Sequence, residues 1–142
     1  MKRVILFAIL FAGLTMVSCN SKTGTSDTAI TTVDQADVMV YYFHYTRRCA
    51  TCNAVEEVTR LALNEYFKEK VQKGEIAFQS INIEEKEGET TANKLEIAGQ
   101  ALVVLKADQM TDLTEKAFLY AVSEPEKLKL EVKAAIDAVT NL

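Results

Sequence analysis

Val38-Met39-Val40-Tyr41-Tyr42-Phe43, followed by His44-Tyr45-Thr46-Arg47-Arg48 and then Cys49-Ala50-Thr51-Cys52, is the stretch that decides the fold. The run over 38–43 is continuously apolar and aromatic, which suits a central strand buried on both faces. The polar and basic residues after it end the strand, and a long helix is expected to begin near Cys49. Val55, Val58, Leu61, Ala62, Tyr66 and Phe67 then recur at helical spacing as far as a stop at Lys73-Gly74. Two cysteines therefore fall where a buried strand turns into a helix N-terminus.

That position has chemical consequences. The thiolate is the attacking form of cysteine, and the positive end of a helix favours it. Arg47 and Arg48 add positive charge just upstream. Two intervening residues let both sulfurs meet across one helical turn, so a disulfide can form and break locally. Cys49 comes first, nearer solvent and the unpaired backbone donors, and is expected to be the nucleophile. Cys52 is then the resolving thiol.

Outward from this junction, Ile76-Ala77-Phe78-Gln79-Ser80-Ile81-Asn82-Ile83 reads as a second strand. A polar helical stretch from Glu84 to Ala98 stops at Gly99, and Ala101-Leu102-Val103-Val104-Leu105 reads as a short buried strand. Residues 116–122, Lys116-Ala117-Phe118-Leu119-Tyr120-Ala121-Val122, are expected to be its hairpin partner across a polar loop at 107–115. The last helix opens with Ser123 as cap, Glu126 completing a capping box and Pro125 in the first turn. Leu128, Val132, Ala135, Ile136 and Val139 make its apolar stripe. The order β-α-β-α-β-β-α predicts an α/β three-layer sandwich on a mixed four-stranded sheet, its first two strands parallel and its later hairpin antiparallel.

The N-terminus carries a separate signal. Lys2 and Arg3 precede a weakly polar run from Val4 to Val17, then Ser18, Cys19 and Asn20. This is the pattern of a secretory signal peptide, and the run is shorter than the roughly 20 residues of a bilayer span. Residues 1–18 are thus expected to be a lipoprotein signal peptide. Residues 19–36, small and polar after Cys19, are expected to be a flexible tether, and residues 37–142 the folded domain. Met16-Val17-Ser18-Cys19 resembles the lipobox of bacterial lipoproteins, in which Cys19 would be acylated; Met16 stands where leucine is usual. The expected location is the periplasm or cell envelope, anchored to membrane through Cys19.

Export would leave Cys49 and Cys52 as the thiols of the mature chain, in an oxidising compartment. Of the 142 residues 49% are hydrophobic and 25% charged, ordinary for one globular domain. The net charge is −4; removing Lys2 and Arg3 from the 16 basic residues leaves 14 against 20 acidic, or −6. Such a chain lacks the concentrated basic surface of nucleic-acid binding. With five glycines and no phosphate-cradling loop, no cofactor is expected.

On the dithiol and its flanks, over about residues 37–142, the chain resembles the thioredoxin superfamily. The likeness extends to Ser80-Ile81-Asn82-Ile83-Glu84 and to Ala98-Gly99-Gln100-Ala101-Leu102-Val103-Val104-Leu105. It implies the thioredoxin fold and thiol–disulfide exchange with a protein partner. Residues 42–52, Tyr42 to Cys52, also look like a group of small bacterial lipoproteins labelled nitrophenyl-compound nitroreductase subunits. That implies an accessory electron carrier, since nitroarene reduction needs an electron-delivering cofactor. Three departures stand out: Ala101 aligns with the family cis-proline, Phe43 with its buried carboxylate, and Arg48 with the aromatic before the first cysteine. A cis bond before a non-proline costs roughly 2.5–4 kcal/mol, so a trans bond is expected at Ala101.

Other residues bear on rival readings. His44, five residues before Cys49, is either a strand-end histidine satisfied by backbone or a partner of the dithiol. Cys49, Cys52 and His44 are the candidate ligands of a soft ion, and the dithiol is a candidate for arsenite capture; a closed zinc site wants a fourth ligand. Glu56, one turn past Cys52, either complements the helix dipole or relays a proton. Tyr41, Tyr42, Phe43 and Tyr45 read as core and sheet packing. A purely structural disulfide in an interaction domain is the third reading, disfavoured because so short a loop gains little from a crosslink. Whether the chain is an enzyme, a thiol–disulfide oxidoreductase, stays open at this point.

Overall fold

A computed structural model describes residues 36–141. The expected signal peptide, lipidated Cys19 and most of the tether lie outside the described residues. The sheet has four strands: β1 (Val38–His44), β2 (Ile76–Asn82), β3 (Ala101–Lys106) and β4 (Gln109–Asp112), in the order β2-β1-β3-β4. β1 runs parallel to β2, with Tyr42 beside Ser80, and antiparallel to β3, with Phe43 beside Ala101. β3 and β4 form an antiparallel hairpin. This is the mixed sheet expected, and the fold is thioredoxin-like.

Alternation along β1 explains the two layers packed on it. Val38, Val40 and Tyr42 face one side, where they join Leu102 and Val104 in the larger core. Helix α1 (Ala50–Tyr66) covers that side with Val55, Val58, Ala62 and Leu63. Helix α5 (Pro125–Thr140) covers it with the anticipated stripe, Leu128, Val132, Ala135, Ile136 and Val139. Met39, Tyr41 and Phe43 face the other side, with Ala101 and Val103, under the single short helix α3 (Lys86–Lys94). α3 lies so close to β2 that a Cβ on Gly88 would fall on the carbonyl oxygen of Asn82.

Three sequence expectations are corrected. The first long helix does not run unbroken to Gly74: Phe67 leaves helical geometry at φ −132°, and a separate turn of helix, α2 (Lys68–Gln72), precedes Gly74 at φ +75°. Residues 116–122 are not a strand. They lie largely in a helix, α4 (Thr114–Tyr120), because Leu113, Ala117 and Ala121 recur every four residues and are all buried. The true partner of β3 is β4, inside the supposed loop, a short and mainly exposed edge strand. Finally, Ser123 does not cap α5: its Oγ donates back to Leu119 O, Glu124 holds the N-cap place without a side-chain bond, and no capping box forms.

Candidate functional site

β1 ends at His44, the chain turns through residues 45–48, and α1 starts at Ala50 with Cys49 as its N-cap. Cys49 has extended backbone (φ −87°, ψ 171°), and its Sγ accepts a hydrogen bond from the Cys52 backbone N–H at 3.2 Å. A sulfur thus fills the place where serine, threonine or aspartate oxygen usually satisfies a free donor of the first turn. Cys49 is exposed, whereas Cys52 is 3% exposed. The two are joined as a disulfide, with Cα atoms 5.1 Å apart.

The buried half of the pair is held from three directions. The Tyr42 hydroxyl donates to Cys52 O at 2.9 Å, and Arg48 Nη2 donates to the same oxygen at 3.3 Å. Gln100 Nε2 donates to Cys52 Sγ at 3.4 Å from the residue before β3. Burial holds the Tyr42 phenol above its usual range, against the lowering influence of Arg48, so it remains a protonated donor.

Arg48 is itself anchored. Its Nη2 lies 2.6 Å from Glu56 Oε2, its guanidinium carbon stands 5.4 Å over the Tyr42 ring, and its Nε is buried without a hydrogen-bond partner. Glu56 also accepts from Arg60, at 3.0 and 2.8 Å, and from Ser80 Oγ at 2.9 Å on β2. Burial pushes the Glu56 carboxyl up, but the bonds from Arg60, Ser80 and Arg48 outweigh it and hold the group below the usual carboxylate range.

Glu56 is therefore the hub of a charged cluster; the proton-relay and helix-dipole readings both missed its partners. His44 turns Nδ1 to Tyr45 O at 2.9 Å, with its ring tilted against Tyr42. Among the described residues no group of three or more His, Cys, Asp or Glu side chains is placed to hold a metal ion. Phe43 is fully buried in the smaller core, on the face of β1 opposite Tyr42. No cis peptide occurs among the described residues, so the bond before Ala101 is trans. Sequence reading missed Gln100, and its neighbour Ala101 was the nearest signal.

No protein-family model matches the chain, and no curated protein matches it in sequence. Among solved structures, the oxidised form of mitochondrial thioredoxin 3 from Saccharomyces cerevisiae is similar at 18% identity, with a TM-score of 0.45. That match covers 72% of this chain and 82% of the yeast one. A thioredoxin from Wuchereria bancrofti is similar at 21% identity with a TM-score of 0.39, covering 73% of this chain and 85% of its own. A malarial protein is similar at 16% identity with a TM-score of 0.40, over 61% of this chain and 94% of its own.

Proposed function

We propose that this chain performs thiol–disulfide exchange through Cys49 and Cys52, as an exported protein tethered to a membrane by lipid on Cys19. The observation that carries the proposal is the asymmetry of one local sulfur pair. Cys49 is exposed on the first turn of α1, and Cys52 is buried behind it. An exposed sulfur is open to a partner, and a buried one three residues on is positioned to displace that partner.

In the reducing direction, the Cys49 thiolate attacks one sulfur of a partner disulfide. The partner S–S bond breaks, and its other sulfur leaves as thiolate and takes a proton from water. Cys52 gives up its proton and attacks Cys49 Sγ. The partner's second sulfur then leaves and is protonated in turn. The partner gains two electrons, the dithiol loses two, and the reverse sequence oxidises a partner dithiol. Phe43 lies on the other face of the sheet from Cys52, and the groups that meet Cys52 from β1 and the turn are the Tyr42 hydroxyl and Arg48, both on its carbonyl oxygen. In a nitro-reducing system the dithiol would serve as an accessory two-electron carrier.

A Cys52→Ala variant tests the proposal by thiol trapping. It should accumulate a mixed disulfide at Cys49 with partner or glutathione, while Cys49→Ala accumulates none. Absence of any adduct on Cys49 in the folded variant would refute exchange.

A further inference from the structure

Two side chains of opposite charge converge on the turn that carries the sulfurs. Residue 52 is the meeting point: its N–H donates to Cys49 Sγ, and its carbonyl accepts from Arg48 Nη2. The same Nη2 lies 2.6 Å from Glu56 Oε2. Arg48 is no free surface cation, being 23% exposed and stacked over Tyr42. Glu56 is no free carboxylate either, since Ser80 and Arg60 fix it from β2 and from the next turn of α1.

We propose that Arg48 and Glu56 are a matched pair of positioning residues that set the thiolate reactivity of Cys49. Arg48 stabilises the thiolate and Glu56 moderates that effect by neutralising part of its charge. The inference rests on the exchange reading for its consequence, because the thiolate fraction sets how fast Cys49 attacks. A charge held on the same partly desolvated turn as a thiol interacts strongly enough to shift its pKa. The helix N-terminus acts in the same sense as Arg48. Arg60 is bound to Glu56 and more than half exposed, and Arg47 is exposed on the turn, whereas Arg48 reaches the carbonyl of residue 52, whose N–H is on Cys49 Sγ.

The pairing predicts shifts of opposite sign, which a merely structural role would not produce. In the reduced full chain, the pH profile of Cys49 alkylation, resolved by peptide mass spectrometry from Cys19 and Cys52, gives the Cys49 pKa. Glu56→Gln leaves Arg48 uncompensated, lowers that pKa and raises the alkylation rate below it by roughly threefold, the effect of half a unit. Arg48→Met removes that cation from the turn while Glu56 stays bound by Arg60 and Ser80, raises the pKa and lowers the rate by a similar factor. The double variant returns close to wild type, and Arg48→Lys stays close to it. Shifts in the same direction, or no shift, would overturn the pairing. If Arg48→Met does not fold, Glu56→Gln decides alone: a lowered pKa supports the pair and any other result refutes it. Alkylation needs no partner protein, so it reads the pair even if trapping shows that exchange does not occur. Conversely, exchange with unshifted variants would discard the pairing and leave the exchange reading intact.

Discussion

The two faces of the sheet are built to different standards. On one, α1, α4 and α5 bury a continuous core against Val38, Val40, Tyr42, Leu102 and Val104. On the other, α3 contributes only Gly88 and Ala92 to the buried set, with Leu95 and Ile97 just beyond its end half-covered. The dithiol belongs to the thick face: Cys52 is on the inner side of α1, and its carbonyl is gripped by Tyr42 from the same side of β1. A reactive pair needs a support that does not yield when a partner is docked and released, and helices sharing a large core supply it. The thin face carries no such burden, and it is where local opening should begin.

The strongest way to break that comparison is to cut equally into both faces. Leu128→Ala, at a fully buried site of α5, should cost about 2–5 kcal/mol in urea unfolding. Leu95→Ala, on a half-covered side chain of the thin face, should cost about 1 kcal/mol or less by area removed. Equal losses would mean that the faces do not differ. Gly88→Ala comes next, because its Cβ would fall on the backbone of β2 rather than on a flexible side chain. Pushing α3 off the sheet should cost about 1–3 kcal/mol, and hydrogen exchange should rise in α3 while α1 stays protected.

Smaller effects sharpen the picture at the site. Tyr42→Phe removes one of two side-chain donors to Cys52 O and should cost about 1 kcal/mol of unfolding free energy, with the fold kept because Arg48 still reaches that oxygen. The smallest effect is a dependence on pH. The Glu56 carboxyl lies below its ordinary 4.5 in the folded chain, so its contribution is present above that value and is lost as pH falls through the folded pKa. Wild type should exceed Glu56→Gln by under about 1 kcal/mol near neutrality, a partly exposed ion pair being screened by water. The two should converge in acid; a gap that widens there would contradict the assignment.

Much of this architecture is legible in the residue order where a single element decides it. The apolar run of β1, the spacing of α1 and the stripe of α5 each announce their own burial. The region 107–122 misleads because burial there is carried by small residues: Ala117 and Ala121 mark the inner face of α4, while Phe118, Leu119 and Tyr120 make an uninterrupted apolar run that suits a strand equally well. β4 gives almost no apolar signal, since its hydrogen bonds to β3 are made by backbone. At the site, the place of Cys49 and Cys52 follows from neighbours in the chain. Gln100 on Cys52 and Ser80 on Glu56 are contacts across 48 and 24 positions, created only by the register of β1 with its neighbours.

The most direct test is redox equilibrium of the chain with glutathione mixtures of graded poise, with Cys49 and Cys52 read by mass and the fold by circular dichroism. A sulfur pair made for exchange should pass reversibly between dithiol and disulfide as one two-electron transition, with its secondary structure unchanged throughout. A disulfide that persists at every poise until the chain is unfolded would contradict the account and mark the pair as a staple.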